Sequence, residues 1–429
     1  MKAFRFLHTA DLHLDSPFRG LAGLPPVIRD RLRDSTFAAL ERMVRLAAEQ
    51  QADFVVIAGD VYDTADRSLK AQIRFQKAME QLAGKQIPAF IVHGNHDPLK
   101  GKSARLRYPD SVYFFSGEAA SITAMTPDRG AVAEIFGISY ETAAVQENLA
   151  LRFQPNPGEL YRIGLLHANV DGDASHDNYA PCRLNDLLDR GIHYWALGHI
   201  HTRRTLHEHP HVVYPGNTQG RHSNETGAKG CYIVDVNHAG DTSLVFHPLD
   251  TVRWMRHSLS IEGMDTEQHL KEAVESVLEQ LRSEAEGRAC IVRLQLEGRG
   301  KLHAAISQGP ALEELAAELR LQETAAAEGA DGYPFVWIEA IENRTGAGLD
   351  MSVLAQETSF LGDLLRLSQS LAEDRERFEP FCEEALAALK SQPALARLLR
   401  DLPPKERLEL LKAAETLAVD MLAETGGSE

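Results

Sequence analysis

The chain has 429 residues, of which 44% are hydrophobic and 25% are charged, and its formal net charge is −17. This length and composition indicate a globular protein of two or three domains, and the acidic balance argues against a non-specific nucleic-acid binder without excluding a local basic patch. Charges interrupt every apolar run well short of the ~18 residues of a membrane span, and the four scattered cysteines are typical of a cytoplasmic protein.

Residues 1–250 alternate predicted strands and helices, which indicates a single α/β domain. Phe54–Ala58 is a continuous apolar run that leads into a Gly-Asp pair, as expected of a strand buried on both faces. Apolar residues at helical spacing predict helices over 26–50 and 68–84. Further strands are predicted at 4–8, 89–93, 163–167, 194–198, 212–214, 231–236 and 243–246.

Residues 251–342 follow a different order, which predicts a small α+β capping domain. The glycine-rich stretch 343–348 resembles a linker. The predicted elements of the capping domain are strands at 255–261, 289–297 and 335–339 and helices at 266–286 and 312–319.

Residues 350–425 are predicted to form a C-terminal helical region. Leucines at helical spacing mark successive helices, one of them around Leu395, Leu398 and Leu399. The last helix is expected to open at Pro403-Pro404, since proline is favoured in the first helical turn. Such helices either cap the protein or dock on the helices of a partner, and both interpretations stay open here.

Four short motifs follow predicted strands and carry most of the chemical information. They are Asp11-Leu12-His13, Gly59-Asp60, Gly94-Asn95-His96-Asp97 and Gly198-His199-Ile200-His201. Taken singly, each motif is more often a turn or a helix cap. Together they place carboxylate, amide and imidazole groups at the carboxyl ends of strands, where reactive groups of open α/β sheets converge.

This mixture of groups is suited to two adjacent divalent cations, which can drive attack of hydroxide on a phosphoester. Asp60 can bridge two cations because its carboxylate has two oxygens. Asn95 offers a neutral amide oxygen, and His167 stands at the end of a further predicted strand. Imidazole ligands favour Mn, Fe or Zn over Ca or Mg.

These motifs resemble the calcineurin-like metallophosphoesterase superfamily. The opening His8-Thr9-Ala10-Asp11-Leu12-His13-Leu14 and the chain length are similar, more narrowly, to the nuclease subunit of the Mre11/SbcD DNA-repair family. The run Asp11-Leu12-His13-Leu14-Asp15-Ser16-Pro17-Phe18 is most similar to its bacterial YhaO-type branch. The resemblance implies a β-sandwich flanked by helices, with the capping domain and the helical region following it.

The resemblance also implies roles for single residues. His96 would contact the phosphate and protonate the leaving oxygen, and Asp97 would orient His96. Asp63 stands where archaeal and eukaryotic relatives often have a second histidine, which puts a steering role for such a histidine in doubt. The implied metals are two ions of Mn²⁺, with Fe or Zn as alternatives, one held by Asp11, His13, Asp60 and His201 and the other by Asp60, Asn95, His167 and His199.

Several basic residues near these motifs are candidates for binding nucleic-acid phosphates. The run 100–107 is the most basic nearby, and a glycine-rich loop over 215–230 offers backbone amides as well. A solvated turn is an equally good interpretation of that loop. The candidate substrate-binding residues are Lys102, Arg105, Arg203, Arg221 and Lys229.

The leading functional hypothesis is a two-metal DNA nuclease, an exonuclease or single-strand endonuclease acting in DNA repair. The alternatives are a phosphodiesterase or phosphatase acting on small-molecule or protein phosphoesters, and a non-catalytic scaffold. The resemblance further implies an SMC-like (Rad50-like) ATPase as the partner of the C-terminal helices, and a homodimer.

Overall fold

The computed structural model describes residues 1–18, 23–63, 67–155, 158–307, 309–348, 351–390, 392, 395–396, 399 and 402–425. The strands are β1 (Phe4–Thr9), β2 (Phe54–Ala58), β3 (Ala89–Val92), β4 (Val112–Phe114), β5 (Ala120–Thr126), β6 (Gly130–Gly137), β7 (Tyr161–His167), β8 (Tyr194–Gly198), β9 (Arg204–Glu208), β10 (His211–Tyr214), β11 (Gly230–Val236), β12 (Thr242–Pro248), β13 (Val252–Ser260), β14 (Ala289–Glu297), β15 (Arg299–Gly300), β16 (Val336–Asn343) and β17 (Gly346–Ala347). The helices are α1 (Pro26–Glu49), α2 (Leu69–Gly84), α3 (Leu184–Leu188), α4 (Glu267–Glu284), α5 (His303–Ser307), α6 (Ala311–Gly329), α7 (Met351–Leu354), α8 (Phe360–Glu373), α9 (Arg375–Ala385), α10 (Ala387–Lys390) and α11 (Pro404–Thr425).

Two six-stranded mixed sheets form the main body of the fold. The first has the order β12-β11-β1-β2-β3-β4, in which β1 to β4 run parallel. The second has the order β5-β6-β7-β8-β10-β9, in which β6, β7, β8 and β10 run parallel. Parallel strands end at a common edge, so each sheet gathers the loops that follow its strands.

The two sheets pack face to face through an aromatic core. Phe6 and Phe54 stack with ring centroids 5.3 Å apart, and Tyr194 of the second sheet meets the Phe6 ring edge-on at 5.2 Å. The opposite face of the first sheet is covered by α1 and α2, whose Leu40 and Phe75 are buried against it. The predicted β-sandwich flanked by helices is therefore confirmed.

The region between the third and fourth predicted strands contains structure that the sequence did not indicate. It holds β4, β5 and β6, whose outer strand β5 is largely exposed and has no continuous apolar run. The predicted helix 312–319 extends over Ala311–Gly329. The stretch predicted as a linker includes Gly346–Ala347, which pairs in parallel with Arg299–Gly300. The helix predicted around Leu395 lies partly outside the described residues, since Leu398 is among those not described.

The chain divides into two compact units. The first comprises 1–257, 276–294 and 316–340, and the second comprises 258–275, 295–315 and 341–429. The first unit contains the sandwich and most of a small sheet ordered β13-β14-β16. The domain boundaries expected at 250 and 342 stay a prediction. Within the described part of the chain, no helix combines the length and the apolar character needed to cross a membrane.

Candidate metal centre

The loops that follow β1 and β2 are joined by backbone hydrogen bonds. The Asp11 amide donates to the Gly59 carbonyl at 3.1 Å, and the His13 amide donates to the Asp60 carbonyl at 3.0 Å. These bonds hold the Asp-Leu-His and Gly-Asp motifs side by side, although residues 14–58 lie between them in the sequence.

Several of the motif residues adopt a left-handed backbone conformation. Their φ angles are 51° at Asp11, 42° at His13, 50° at Asp60 and 102° at His199. Such angles cost about 1–3 kcal/mol each for a residue other than glycine, and they persist where surrounding bonds over-determine the loop. The backbone bonds between the two loops supply that constraint at Asp11 and His13.

Two motif glycines are required by close approach of their neighbours. A Cβ atom on Gly94 would lie 2.3 Å from Asp60 Oδ1, and one on Gly198 would lie 1.9 Å from the Ala58 carbonyl oxygen. Gly94 therefore leaves room for the Asp60 carboxylate, and Gly198 leaves room for the end of β2.

One group of side chains comes from the loops after β1 and β8. Ligand atoms of Asp11, His13 and His201 all lie within 4.8 Å of one another. The two imidazoles face each other through their Nε2 atoms, 3.0 Å apart. Asp11 and His13 are almost completely buried.

A second group comes from the end of β7 and from the loops after β2, β3 and β8. His167 Nε2 lies 2.9 Å from Asn95 Oδ1 and 3.4 Å from Asp60 Oδ2. His199 Nδ1 lies 3.1 Å from the same Asn95 oxygen. Asp60 Oδ2 is also 3.9 Å from His13 Nε2, so this carboxylate faces both groups.

The ring orientations suit metal ligation. The outer nitrogen of His167 donates to the Ala58 carbonyl at 2.9 Å, and that of His199 donates to the Asp177 carbonyl at 2.7 Å. A carbonyl oxygen only accepts, so in the neutral rings the inner nitrogens carry lone pairs. Lone pairs, an amide oxygen and carboxylates that face one another are a donor set that fits divalent cations.

Burial shapes the pKa values of these groups. It lowers the pKa of His13 to about 4 and that of His199 to about 3, which keeps both imidazoles neutral, as ligands must be. Burial raises the pKa of Asp11 to about 7. Burial alone would lower the pKa of His167, but the Asp60 and Asp11 carboxylates beside it raise that pKa to about 9. Cation binding would displace the His167 proton.

His96 lies beside both groups and is only partly buried. Its amide donates to Asp60 Oδ1 at 2.9 Å, and its Nδ1 donates to the Asp63 carbonyl at 2.5 Å. The His96 ring meets the His13 ring edge-on, with centroids 4.9 Å apart. Because Nδ1 is used, Nε2 is the atom left to face a substrate.

The Asp97 carboxylate meets backbone amides rather than the His96 ring, so its expected role in orienting His96 stays a prediction. The buried carboxylate of Asp97 accepts from the Val61 amide at 3.0 Å and from the Gly94 amide at 2.8 Å. These bonds use both oxygens to hold the loops after β2 and β3 together. The backbone carbonyl of Asp63 is the acceptor that His96 Nδ1 contacts.

Two of the candidate substrate-binding residues also have other roles. Lys229 is buried and donates to the His201 carbonyl at 3.0 Å. Arg221 is enclosed and pairs with Asp63 at 2.8 Å and with Glu225 at 3.2 Å. Both cations are therefore held inside the protein rather than displayed.

The other three candidate substrate-binding residues are exposed. Lys102 and Arg105 lie on the segment after the Gly-Asn-His-Asp motif, and Arg203 follows His201 by two residues. The Arg203 guanidinium lies 3.9 Å from the centre of the Phe246 ring. These three side chains could meet a ligand from solvent.

Two carboxylates contact histidines of the centre in a way that the sequence did not indicate. Glu225 Oε1 accepts from His201 Nδ1 at 2.7 Å, and Asp63 Oδ1 lies 3.3 Å from His13 Nδ1. A general signal existed, because metal-bound histidines usually face a carboxylate or carbonyl with their other nitrogen. Nothing in the spacing showed which acidic residues would fill this position.

Two family models match successive parts of the chain. The calcineurin-like phosphoesterase model matches residues 4–203, and the model of the middle domain of the metallophosphoesterase YhaO matches residues 254–346. The chain is 35% identical over 397 residues to the uncharacterised metallophosphoesterase YhaO of Bacillus subtilis. The aligned region covers 90% of this chain and 95% of that protein.

More distant similarity links the chain to two archaeal proteins named DNA double-strand break repair protein Mre11. The one from Thermoplasma acidophilum is 25% identical over 303 residues, covering 68% of this chain and 76% of that protein. The one from Sulfurisphaera tokodaii is 26% identical over 214 residues, covering 48% of this chain and 51% of that protein.

Proposed function

Because the chain belongs to the calcineurin-like metallophosphoesterase family, whose members hydrolyse phosphoester bonds, we propose that it is a two-metal-dependent nuclease that cleaves phosphodiester bonds in DNA. The observation that carries this proposal is the position of His96. Its Nδ1 is bonded to the Asp63 carbonyl, and its ring lies beside a cluster of carboxylates and imidazoles suited to two cations.

Asp11, His13, Asp60 and His201 would hold one cation, and Asp60, Asn95, His167 and His199 would hold the other. Mn²⁺ is the proposed metal, because imidazole with carboxylate suits it and its neighbours Fe and Zn. Bound cations would supply a hydroxide near neutral pH and offset charge on the phosphoryl oxygens.

The chain's own contribution to bond cleavage would come from His96. With Nδ1 donating to the Asp63 carbonyl, a protonated His96 carries its second proton on Nε2. That proton would go to the oxygen that leaves phosphorus, while the imidazole fixes one phosphoryl oxygen beforehand. The bond from the His96 amide to Asp60 Oδ1 keeps the acid at a set distance from the carboxylate that would contact both cations.

DNA is the proposed substrate for two reasons. Two relatives carry the name of a DNA double-strand break repair protein. In addition, Lys102, Arg105 and Arg203 are exposed on segments that lead directly from the metal-centre loops. We propose that these cations contact phosphates next to the one being cleaved, although the whole chain carries a net charge of −17.

The purified full-length chain with Mn²⁺ is expected to cleave labelled DNA as well as a p-nitrophenyl phosphodiester. Changing Lys102, Arg105 and Arg203 to Gln should weaken DNA binding and flatten its salt dependence, by about 0.7–0.9 in log–log slope per lost phosphate contact. The small diester should be cleaved as before. A matched control is the pair Lys77→Gln and Lys85→Gln, exposed cations on or next to α2.

Cleavage of the small diester alone would contradict DNA as the substrate. It would favour a phosphodiesterase or phosphatase acting on small-molecule or protein phosphoesters. Failure to cleave either substrate would favour the non-catalytic scaffold. An equal loss of DNA binding in the three-residue variant and in the control would contradict the proposed phosphate contacts.

We also propose that the C-terminal helices dock on an SMC-like ATPase in the cytoplasm. Within the second unit, α8 and α11 share a small core of Leu365 and Val419. Their outer surfaces display Phe360, Leu367 and Leu417, which are 73%, 52% and 60% exposed. Large apolar side chains at such exposure are typical of a surface that a partner helix covers.

Changing Phe360 and Leu417 to Asp in the full-length chain should abolish its co-purification with a co-expressed SMC-like ATPase from the cytoplasmic fraction. Hydrolysis of the small diester should be unchanged, because the metal centre belongs to the first unit. Leu321→Asp, an equally exposed leucine on α6, serves as the control. Undiminished co-purification of the double variant would contradict the assignment.

A further inference from the structure

Three charged side chains form an enclosed row beside the metal centre. The Arg221 guanidinium pairs through Nη1 with Asp63 Oδ1 at 2.8 Å and through Nη2 with Glu225 Oε1 at 3.2 Å. The side chains of Asp63, Arg221 and Glu225 are 16%, 12% and 5% exposed. We call these three residues the charged triad.

Each end of the charged triad faces a histidine of the metal centre. Glu225 Oε1 accepts from His201 Nδ1 at 2.7 Å, and Asp63 Oδ1 lies 3.3 Å from His13 Nδ1. These are the two imidazoles whose Nε2 atoms face each other at 3.0 Å. The triad thus stands behind one pair of proposed ligands.

The second pair of histidines, His167 and His199, has hydrogen-bond acceptors of a different kind. His167 and His199 donate to the backbone carbonyls of Ala58 and Asp177. A carboxylate makes the imidazole it faces a stronger electron donor than a carbonyl does, because its charge stabilises the ring N–H bond dipole. The two proposed pairs of histidine ligands therefore differ in electron-donor strength.

Glu225 is fixed independently of the histidine. It also accepts from the Arg221 amide at 2.7 Å and from Asn217 Nδ2 at 3.0 Å. The Arg221 guanidinium lies between the two carboxylates and offsets part of the repulsion that they would have at this burial. The result is a rigid frame that presents His201 and His13 at a set spacing.

We propose that Asp63, Arg221 and Glu225 are positioning residues that set the affinity of the cation held by His13 and His201. This inference rests on the proposed metal centre and deepens it. It also gives Arg221 a role other than phosphate binding.

The test is titration of the metal-stripped full-length chain with Mn²⁺, following free Mn²⁺ by its EPR signal. The wild type is expected to bind two ions per chain. Glu225→Gln should weaken one of them about tenfold or more, the usual effect of losing such a partner, and leave the other unchanged. Glu323→Gln is the matched control, because Glu323 is likewise buried, pairs with Arg282 and accepts from a backbone amide.

Each outcome of the titration decides the matter. If Glu225→Gln binds each of the two ions as tightly as the wild type does, the role of the charged triad is overturned while the metal centre stands. Absence of Mn²⁺ binding in the wild type would overturn the metal centre and the triad together. If thermal unfolding shows that Glu225→Gln does not fold, Asp63→Asn replaces it, with the same weakening expected and the same result overturning the proposal.

Discussion

Replacing Asp60 by Asn is expected to reduce Mn²⁺-dependent kcat/KM for phosphodiester hydrolysis at least about a thousandfold, or about 4 kcal/mol of transition-state stabilisation. Asp60 Oδ2 lies 3.4 Å from His167 Nε2 and 3.9 Å from His13 Nε2. No other single carboxylate among the described residues lies within 4.0 Å of imidazole nitrogens from both groups. Loss of its charge would remove a ligand that both cations would share.

Asparagine is the informative substitution because it keeps the shape of the side chain. Its Oδ1 can still accept from the His96 amide, as Asp60 does at 2.9 Å. The amide NH₂ would replace the charged oxygen between two imidazoles, which repels a cation. Steady-state kinetics and Mn²⁺ binding measured together should show both properties falling.

Asp53→Asn provides the matched control for this variant. Asp53 lies just before β2, whereas Asp60 lies just after it. The Asp53 carboxylate accepts from the Arg5 amide at 2.8 Å and pairs with Arg129. Its change should cost stability but leave Mn²⁺ binding intact. Activity of Asp60→Asn within tenfold of the wild type would contradict a bridging role.

Replacing His96 by Asn is expected to lower kcat for DNA cleavage about 10²- to 10⁴-fold, the range associated with loss of a general acid. Binding of two Mn²⁺ ions should persist, because the proposed ligand sets do not include His96. The loss should be much smaller for the p-nitrophenyl diester, since p-nitrophenolate leaves without needing a proton.

The alternative role for His96 is metal ligation. Its ring lies within 4.8 Å of ligand atoms of His13 and Asp60. If His96→Asn loses one of its Mn²⁺ ions, the residue is a ligand and its assignment as the acid is contradicted. Equal losses of kcat for DNA and for the activated diester would also argue against proton donation.

The positions of the loops in the candidate metal centre could be predicted from the sequence, because buried parallel strands are continuous apolar runs whose ends are easy to recognise. Phe54–Ala58 is apolar at every position and is followed by Gly-Asp, so both the strand and the placement of Asp60 could be predicted. The same logic applied to His167, the last residue of β7, and to Gly198, the last residue of β8. Strands such as β5, exposed and without an apolar run, gave no comparable signal.

The surroundings of the proposed ligands could not be predicted in this way. Arg221 and Lys229 look like phosphate-binding cations in a glycine-rich loop, because sequence does not show which side chain or carbonyl a cation will face. In the fold, Arg221 faces Asp63, which is 158 residues away. Likewise, the left-handed φ of 50° at Asp60 depends on backbone bonds to another loop.

The most direct test of the account is cleavage of end-labelled single-stranded DNA by the metal-stripped full-length chain, with and without added Mn²⁺, beside His96→Asn prepared identically. The account predicts cleavage by the wild type only when Mn²⁺ is added, and at least a hundredfold slower cleavage by the variant. DNA left intact by a wild-type preparation that binds two Mn²⁺ ions and cleaves the p-nitrophenyl diester would contradict it.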